Sequence, residues 1–234
     1  MSKDKQAGKD VLDIQAQIRA ELDNIKATVE PPSGFVISTK GSVFTLPDGS
    51  VDEGPMYCTV VDYAAMNLYY TGAYNPQKTS NPDCWAIGKD LPSLGPSSSV
   101  PNPKSDTCKT CPKNEWGSAT GGGQGKACKN TRRLLVVGKG QLDSNGVDAQ
   151  SYVLSVSPTG LKHFDKYINS LSDQGIHPTQ VVTQISFDPN SPFPSLRFKA
   201  DAKLTEEAVA SVWGIKERSQ SILLQEPQNE PKAA

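Results

Sequence analysis

The chain has 234 residues, 24 lysines and arginines against 25 aspartates and glutamates, 36% hydrophobic residues and five cysteines. That is enough to bury a sizeable core, and it fits one medium-sized domain with appendages. No run of the roughly 20 apolar residues needed to span a bilayer occurs, and MSKDKQAGKD lacks the apolar stretch of a secretory signal, so the expectation is a cytoplasmic protein without a membrane partner. Thiols stay reduced there. Closely spaced cysteines are then better read as metal ligands than as disulfides, and two histidines argue against a His-rich catalytic metal site.

The net charge of −1 hides a local excess. Between Lys104 and Lys139 eight cations (Lys104, Lys109, Lys113, Lys126, Lys129, Arg132, Arg133 and Lys139) face only Asp106 and Glu115, a balance of +6. The segments on either side are all acidic in balance. One basic patch sits on an otherwise acidic chain, so a nucleic-acid partner stays open.

In chain order, Val11, Ile14, Ile18, Leu22, Ile25 and Val29 recur at three- and four-residue steps, the pattern of an amphipathic helix that Pro31 and Pro32 end. This defines an N-terminal segment, 1–30. Its apolar stripe either packs on its own domain or docks on another subunit, the latter giving a homo-oligomer. FVIST and SVFTL read as two short strands closed by a turn at Pro47-Asp48-Gly49.

MYCTVVDYAAMNLYY reads as one long strand. Strict alternation puts Cys58, Val60, Ala64, Met66 and Leu68 on one face, with Asp62 out of pattern, and Tyr57, Thr59, Val61, Tyr63, Asn67 and Tyr69 on the other. One face reads as core and the other as a row of exposed tyrosines. A strand this long is expected to bend or bulge.

Residues 75–131 are dense in Pro, Gly, Ser and Asn, with almost no periodicity, and need something to fix them. Beyond them RRLLVVG and SYVLSV read as strands, and LKHFDKYINSL as a helix with Leu161, Phe164, Ile168 and Leu171 on one face. QVVTQISFD and PSLRFKA add two strands. A last helix starts near Thr205, with Glu206 and Glu207 complementing its positive end, and runs to about Arg218, leaving 218–234 as a tail. The expected fold is α+β, a small OB-like β-barrel over 31–217 with flanking helices and a metal-stabilised loop insertion at about 75–131.

Cys84, Cys108, Cys111 and Cys128 follow C-x23-C-x2-C-x16-C, where the close pair forms a knuckle and the outer two close a tetrahedron. Four thiolates with no open position suit a structural Zn2+. An iron–sulfur cluster and unligated or redox thiols are the alternatives. Cys58, on the apolar face of the long strand, reads as a free buried cysteine.

Two other motifs fail. GGGQGKAC would need Gly at Thr120 and Ser or Thr at Ala127 to be a phosphate loop, and it lacks a strand-to-helix context. His163 and His177 have no nucleophile placed to use them and read as structural.

VVDYAAMNLYYTGAYNPQ, PDCWAIGKD and CKTCPKNEWGSATGGGQGKACKNTRRLLVV together resemble a family of small proteins encoded by tailed bacteriophages, in which C-x-x-C-P-x-N-x-W/F-G-S and G-K-A-C-K-N-x-R-R segments enclose a zinc ribbon. In layout the chain is similar to phage single-stranded DNA-binding proteins, which carry a zinc-stabilised insertion in an OB-type barrel. The resemblance implies a protein of phage replication or recombination in the host cytoplasm, with the four cysteines as ligands. Such proteins often end in a strongly acidic tail, whereas LLQEPQNEPKAA carries only Glu226 and Glu230 against Lys232.

The leading expectation is a non-enzymatic, sequence-tolerant single-stranded DNA-binding protein, in which a basic groove follows phosphates and aromatic rings stack bases. Its candidate contacts are Tyr57, Tyr63, Tyr69, Tyr70, Tyr74, Trp85, Trp116, Lys113, Lys126, Lys129, Arg132 and Arg133. The alternative is an adaptor whose zinc ribbon binds a phage or host protein such as a polymerase. No paired carboxylates, activated nucleophile or open metal site points to an enzyme.

Overall fold

The computed structural model describes residues 14, 34–72, 81–119 and 123–227. The chain divides into two units, Met1–Gly34 and Phe35–Ala234. The helix expected over residues 10–29 lies outside the described residues except for Ile14, and so do the last seven residues of the tail.

The second unit is α+β, built on a mixed sheet. Its strands are β1 (Val36–Ile37), β2 (Phe44–Thr45), β3 (Val51–Asp52), β4 (Met56–Tyr69), β5 (Cys84–Gly88), β6 (Cys128–Gly138), β7 (Ser151–Val156), β8 (Val181–Phe187) and β9 (Leu196–Lys203). Three α-helices are described: α1 (Lys139–Asn145), α2 (Leu161–Asp173) and α3 (Glu206–Leu223). The strand order is β1-β7-β6-β4-β8-β9, with β5 also on β4 and β2–β3 a separate hairpin. Among the described residues only β1 and β7 run parallel.

The expected barrel does not close. β1 and β9 end the sheet, and β9 carries Arg197, Lys199, Asp201 and Lys203, charges of the kind that blunt a free edge. The bend expected of a long strand serves another purpose. Along one side β4 pairs with β6 from Cys58 to Tyr69, while on its other side β8 takes Met56–Cys58 and β5 takes Ala65–Tyr69.

A bulge between Val60 and Asp62 inserts one extra residue and reverses the parity of everything after it. Cys58 and Val60 therefore share their face with Tyr63, and by alternation with Ala65, Asn67 and Tyr69. That face is core, not a platform: Tyr63 meets Phe164 of α2 edge-on at 5.1 Å, within a cluster that includes Leu134, Leu154, Leu171 and Ile185. The opposite face of β4 is also covered, because Val61 and Ala64 pack with Leu135, Val137 and the Val212, Ile215 and Leu223 stripe of α3. Helices cover both faces of the sheet.

Local signals account for most elements. Thr205 caps α3 by accepting from the Ala208 amide, with Glu206 and Glu207 in the first turn, as the sequence implied. The helix continues past Arg218 to Leu223, which moves the start of the tail. In α2 the buried residues are Phe164, Tyr167 and Leu171, with Leu161 and Ile168 partly buried beside them. Gly49, at φ 83°, makes the turn between β2 and β3.

Candidate nucleic-acid interface and cysteine cluster

β5 carries the start of the loop-rich segment into the sheet. Cys84 of β5 and Cys128 of β6 both stand opposite Tyr69 of β4, so three adjacent strand ends present two thiols on one row. The loop returns Cys108, whose amide donates to the Leu94 carbonyl at 2.8 Å, and Cys111, whose carbonyl accepts from the Asn114 amide at 2.8 Å. All four sulfur-bearing residues line one cavity of about 20 Å³, room for a single water-sized atom. Among the described residues no group of three or more His, Cys, Asp or Glu side chains is placed to hold a metal ion as it stands. What fits a metal is therefore the donor chemistry and the convergence of the four side chains on one small cavity.

Burial dominates the acidity of these thiols. It pushes Cys128 up to about 12, reinforced by Cys108, Cys111 and Cys84, and opposed by the Lys126 ammonium. Cys108 is raised for the same reason, with the Asn67 carboxamide opposing. Cys58, alone in the core, is also pushed up to about 12 by burial and is remote in role from the cluster.

The predicted contact residues do not form one surface. Tyr57 is 42% exposed and its hydroxyl accepts from Gln184 Nε2 at 3.0 Å, Tyr70 is half-buried just beyond β4, and Tyr74 lies outside the described residues. Tyr69 is 6% exposed, with Lys113 Nζ 5.7 Å from its ring centroid. Trp85 is half-buried, its carbonyl accepting from the Ser97 amide at 2.9 Å.

The two arginines part company because neighbours on a strand face opposite ways. Arg133 is 3% exposed and donates to the Leu223 carbonyl at 3.3 Å and to the Gln225 carbonyl, closing the C-terminus of α3. It is a structural residue, which corrects its reading as a phosphate contact. Lys129 shares that side of β6, half-buried.

Arg132 lies on the other side and lines an open cleft of about 240 Å³. Lys109 adds a second cation, and Asn67, Asn114 and Asn130 supply three carboxamides. Leu91, Leu94 and Leu161 provide apolar walls, and among the described residues no carboxylate lines the cleft. Just outside stands Trp116, 80% exposed, with Lys126 Nζ 5.5 Å from its ring centroid. That ammonium also reaches Asn114 Oδ1 at 3.3 Å and Asn130 Oδ1 at 3.1 Å, so Trp116 and the cleft are one ammonium group apart. Asn67, Cys108 and Asn114 line both the cysteine cavity and the cleft.

The sequence reading missed Asn67, Lys109, Asn114 and Asn130. Lys109 lies in the basic segment and Asn114 and Asn130 in the two quoted motifs, so those three had a signal that could have found them, and Asn67 had none.

No family profile, curated protein or solved structure matches the chain. Among the described residues no helix is long and apolar enough to cross a membrane.

Proposed function

We propose that this chain binds single-stranded DNA without catalysing a reaction, in the replication or recombination of a tailed phage as its motifs suggest. One observation carries the reading: an exposed indole and a cleft holding the cations Arg132 and Lys109 lie side by side, joined by Lys126. Single-strand binders need a cationic track for phosphates and aromatic faces for unstacked bases, each stack worth roughly 1–3 kcal/mol. A duplex keeps its bases stacked, so it offers nothing to Trp116.

The same reading gives Cys84, Cys108, Cys111 and Cys128 a structural Zn2+ that fixes the wall shared by the cysteine cavity and the cleft. The test is tryptophan emission during titration with single-stranded oligonucleotides. Quenching in the native chain that disappears in Trp116→Leu supports the reading. Absence of quenching together with salt-insensitive association with a protein favours the adaptor.

A further inference from the structure

The cleft has a hydrogen-bonding polarity that can be deduced from one side chain. An ammonium group only donates, so the two carboxamide atoms that Lys126 meets are oxygens, Oδ1 of Asn114 and Oδ1 of Asn130. With its oxygen committed, Asn130 turns its amino group to Asn67 Oδ1 at 2.9 Å. Asn114 is fixed in the same sense from its other end, since its amino group donates to the Cys108 carbonyl at 2.7 Å and a carbonyl only accepts. Every carboxamide oxygen of the cleft therefore already accepts from a neighbour. Each of those oxygens keeps one lone pair, but the hydrogens offered to a ligand outnumber them: the second hydrogens of the Asn114 and Asn130 amino groups, that of Asn67 beyond the one that serves Cys108, the guanidinium of Arg132 and the ammonium of Lys109.

We propose that this cleft takes one base of the bound strand and selects bases with a carbonyl at position 4 of a pyrimidine or position 6 of a purine, thymine, uracil and guanine, over cytosine and adenine, which carry an amino group there. The proposal rests on the single-strand reading above and sharpens it, because it replaces sequence tolerance with a preference at one position. A carbonyl edge pairs with the donors. An amino group there would face mostly other donors and leave hydrogens unpaired on both sides of a partly buried site, the situation in which a polar site rejects a near-isostere most strongly. The leucine walls suit the flat faces of a ring, and about 240 Å³ is below the usual range for drug-sized ligands, as befits a single base.

The test compares deoxyuridine and deoxycytidine 12-mers, two weakly stacking pyrimidines that differ at position 4, by fluorescence anisotropy with the full chain at fixed salt. Uridine is expected to bind about tenfold tighter, the size of one well-made base contact. Equal binding of the two, or tighter binding of cytidine, overturns the base-reading cleft while leaving single-strand binding intact; binding of neither overturns both.

Asn130→Asp then reverses the lock, since a carboxylate draws the Asn67 amino group to itself and turns the Asn67 oxygen to the ligand. The uridine-to-cytidine ratio should fall below about twofold, whatever the added charge does to both affinities. Lys126→Met, which removes the ammonium that sets the orientation, should lower the ratio in the same direction and serves if Asn130→Asp does not fold. A tenfold ratio that persists in a folded variant of either kind refutes the proposal.

Discussion

Arg132 and Arg133 are adjacent on β6, carry the same charge and sit on opposite faces, so replacing each by Met separates binding from folding. Arg133 is buried and donates to two carbonyls at the end of α3, at Leu223 and Gln225. A hydrogen bond to a charged group contributes roughly 1.5–3 kcal/mol. Methionine keeps most of the aliphatic volume, and the Gln225 carbonyl, at the chain's exit from the helix, can recover water. The net loss for Arg133→Met is then about 2–3 kcal/mol, a fall of roughly 5–10 °C in melting temperature for a domain of this size.

Arg132→Met removes one of the two cations of the cleft and makes no comparable change in the core, so its melting should shift by no more than about 0.5 kcal/mol. Its affinity for single strands should fall, with the salt slope shallower by about 0.7 because one phosphate is no longer neutralised. Thermal melting and anisotropy titrations at three salt concentrations measure both. A folded Arg133→Met protein with normal melting and weakened binding would refute the assignment of the two side chains.

Tyr63→Ala should cost about 3 kcal/mol or more in chemical denaturation, because the ring packs against Phe164; a loss of affinity at unchanged stability would return it to the stacking surface. His177 is held below the ordinary histidine range, first by burial and then by Lys216, with Asp62 opposing, and its neutral Nδ1 accepts from the Thr179 amide at 3.3 Å. A depressed folded value means that its stabilisation is complete above the unfolded pKa and is lost as pH falls through the folded one, so the stability lost between pH 7.5 and pH 5 should be smaller in His177→Asn. Elemental analysis should find one zinc per chain, and Cys111→Ser should release it and weaken single-strand binding through the Cys108–Asn114 wall while the core sheet still melts cooperatively. Gly160→Ala should destabilise by about 1–3 kcal/mol, since the added carbon would stand 3.1 Å from Val156 Cγ1 and 3.3 Å from the Leu196 amide nitrogen.

Where the sequence spoke through periodicity it was readable. The strands β7, β8 and β9, the apolar face of α2 and the cap of α3 follow from alternation, three- and four-residue steps and Thr205 with its two glutamates. The face of β4 was not, because a bulge is a matter of pairing. One residue inserted at Val61 changes nothing in composition, yet it carries Tyr63 into the core. The only trace was Asp62, a charge out of step, which in the fold pairs with Lys89 and lies 3.9 Å from Lys216.

The candidate site divides in the same way. The four cysteines announce themselves by spacing, and Trp116 and Lys126 by composition. The cleft does not, because Asn67, Asn114 and Asn130 come from β4, the knuckle and β6, and only the sheet register brings them together. Arg132 and Arg133 are indistinguishable in sequence for the same reason: the direction each points is set by the strand's neighbours.

The most direct test of the central claim is a salt series comparing single-stranded and double-stranded DNA of one sequence, with tryptophan emission followed in the same cuvette. Single-strand binding that is tighter than duplex binding, falls linearly on a log–log salt plot and quenches the Trp116 emission is the result this account predicts. Equal affinity for both forms, with emission unchanged, would contradict it.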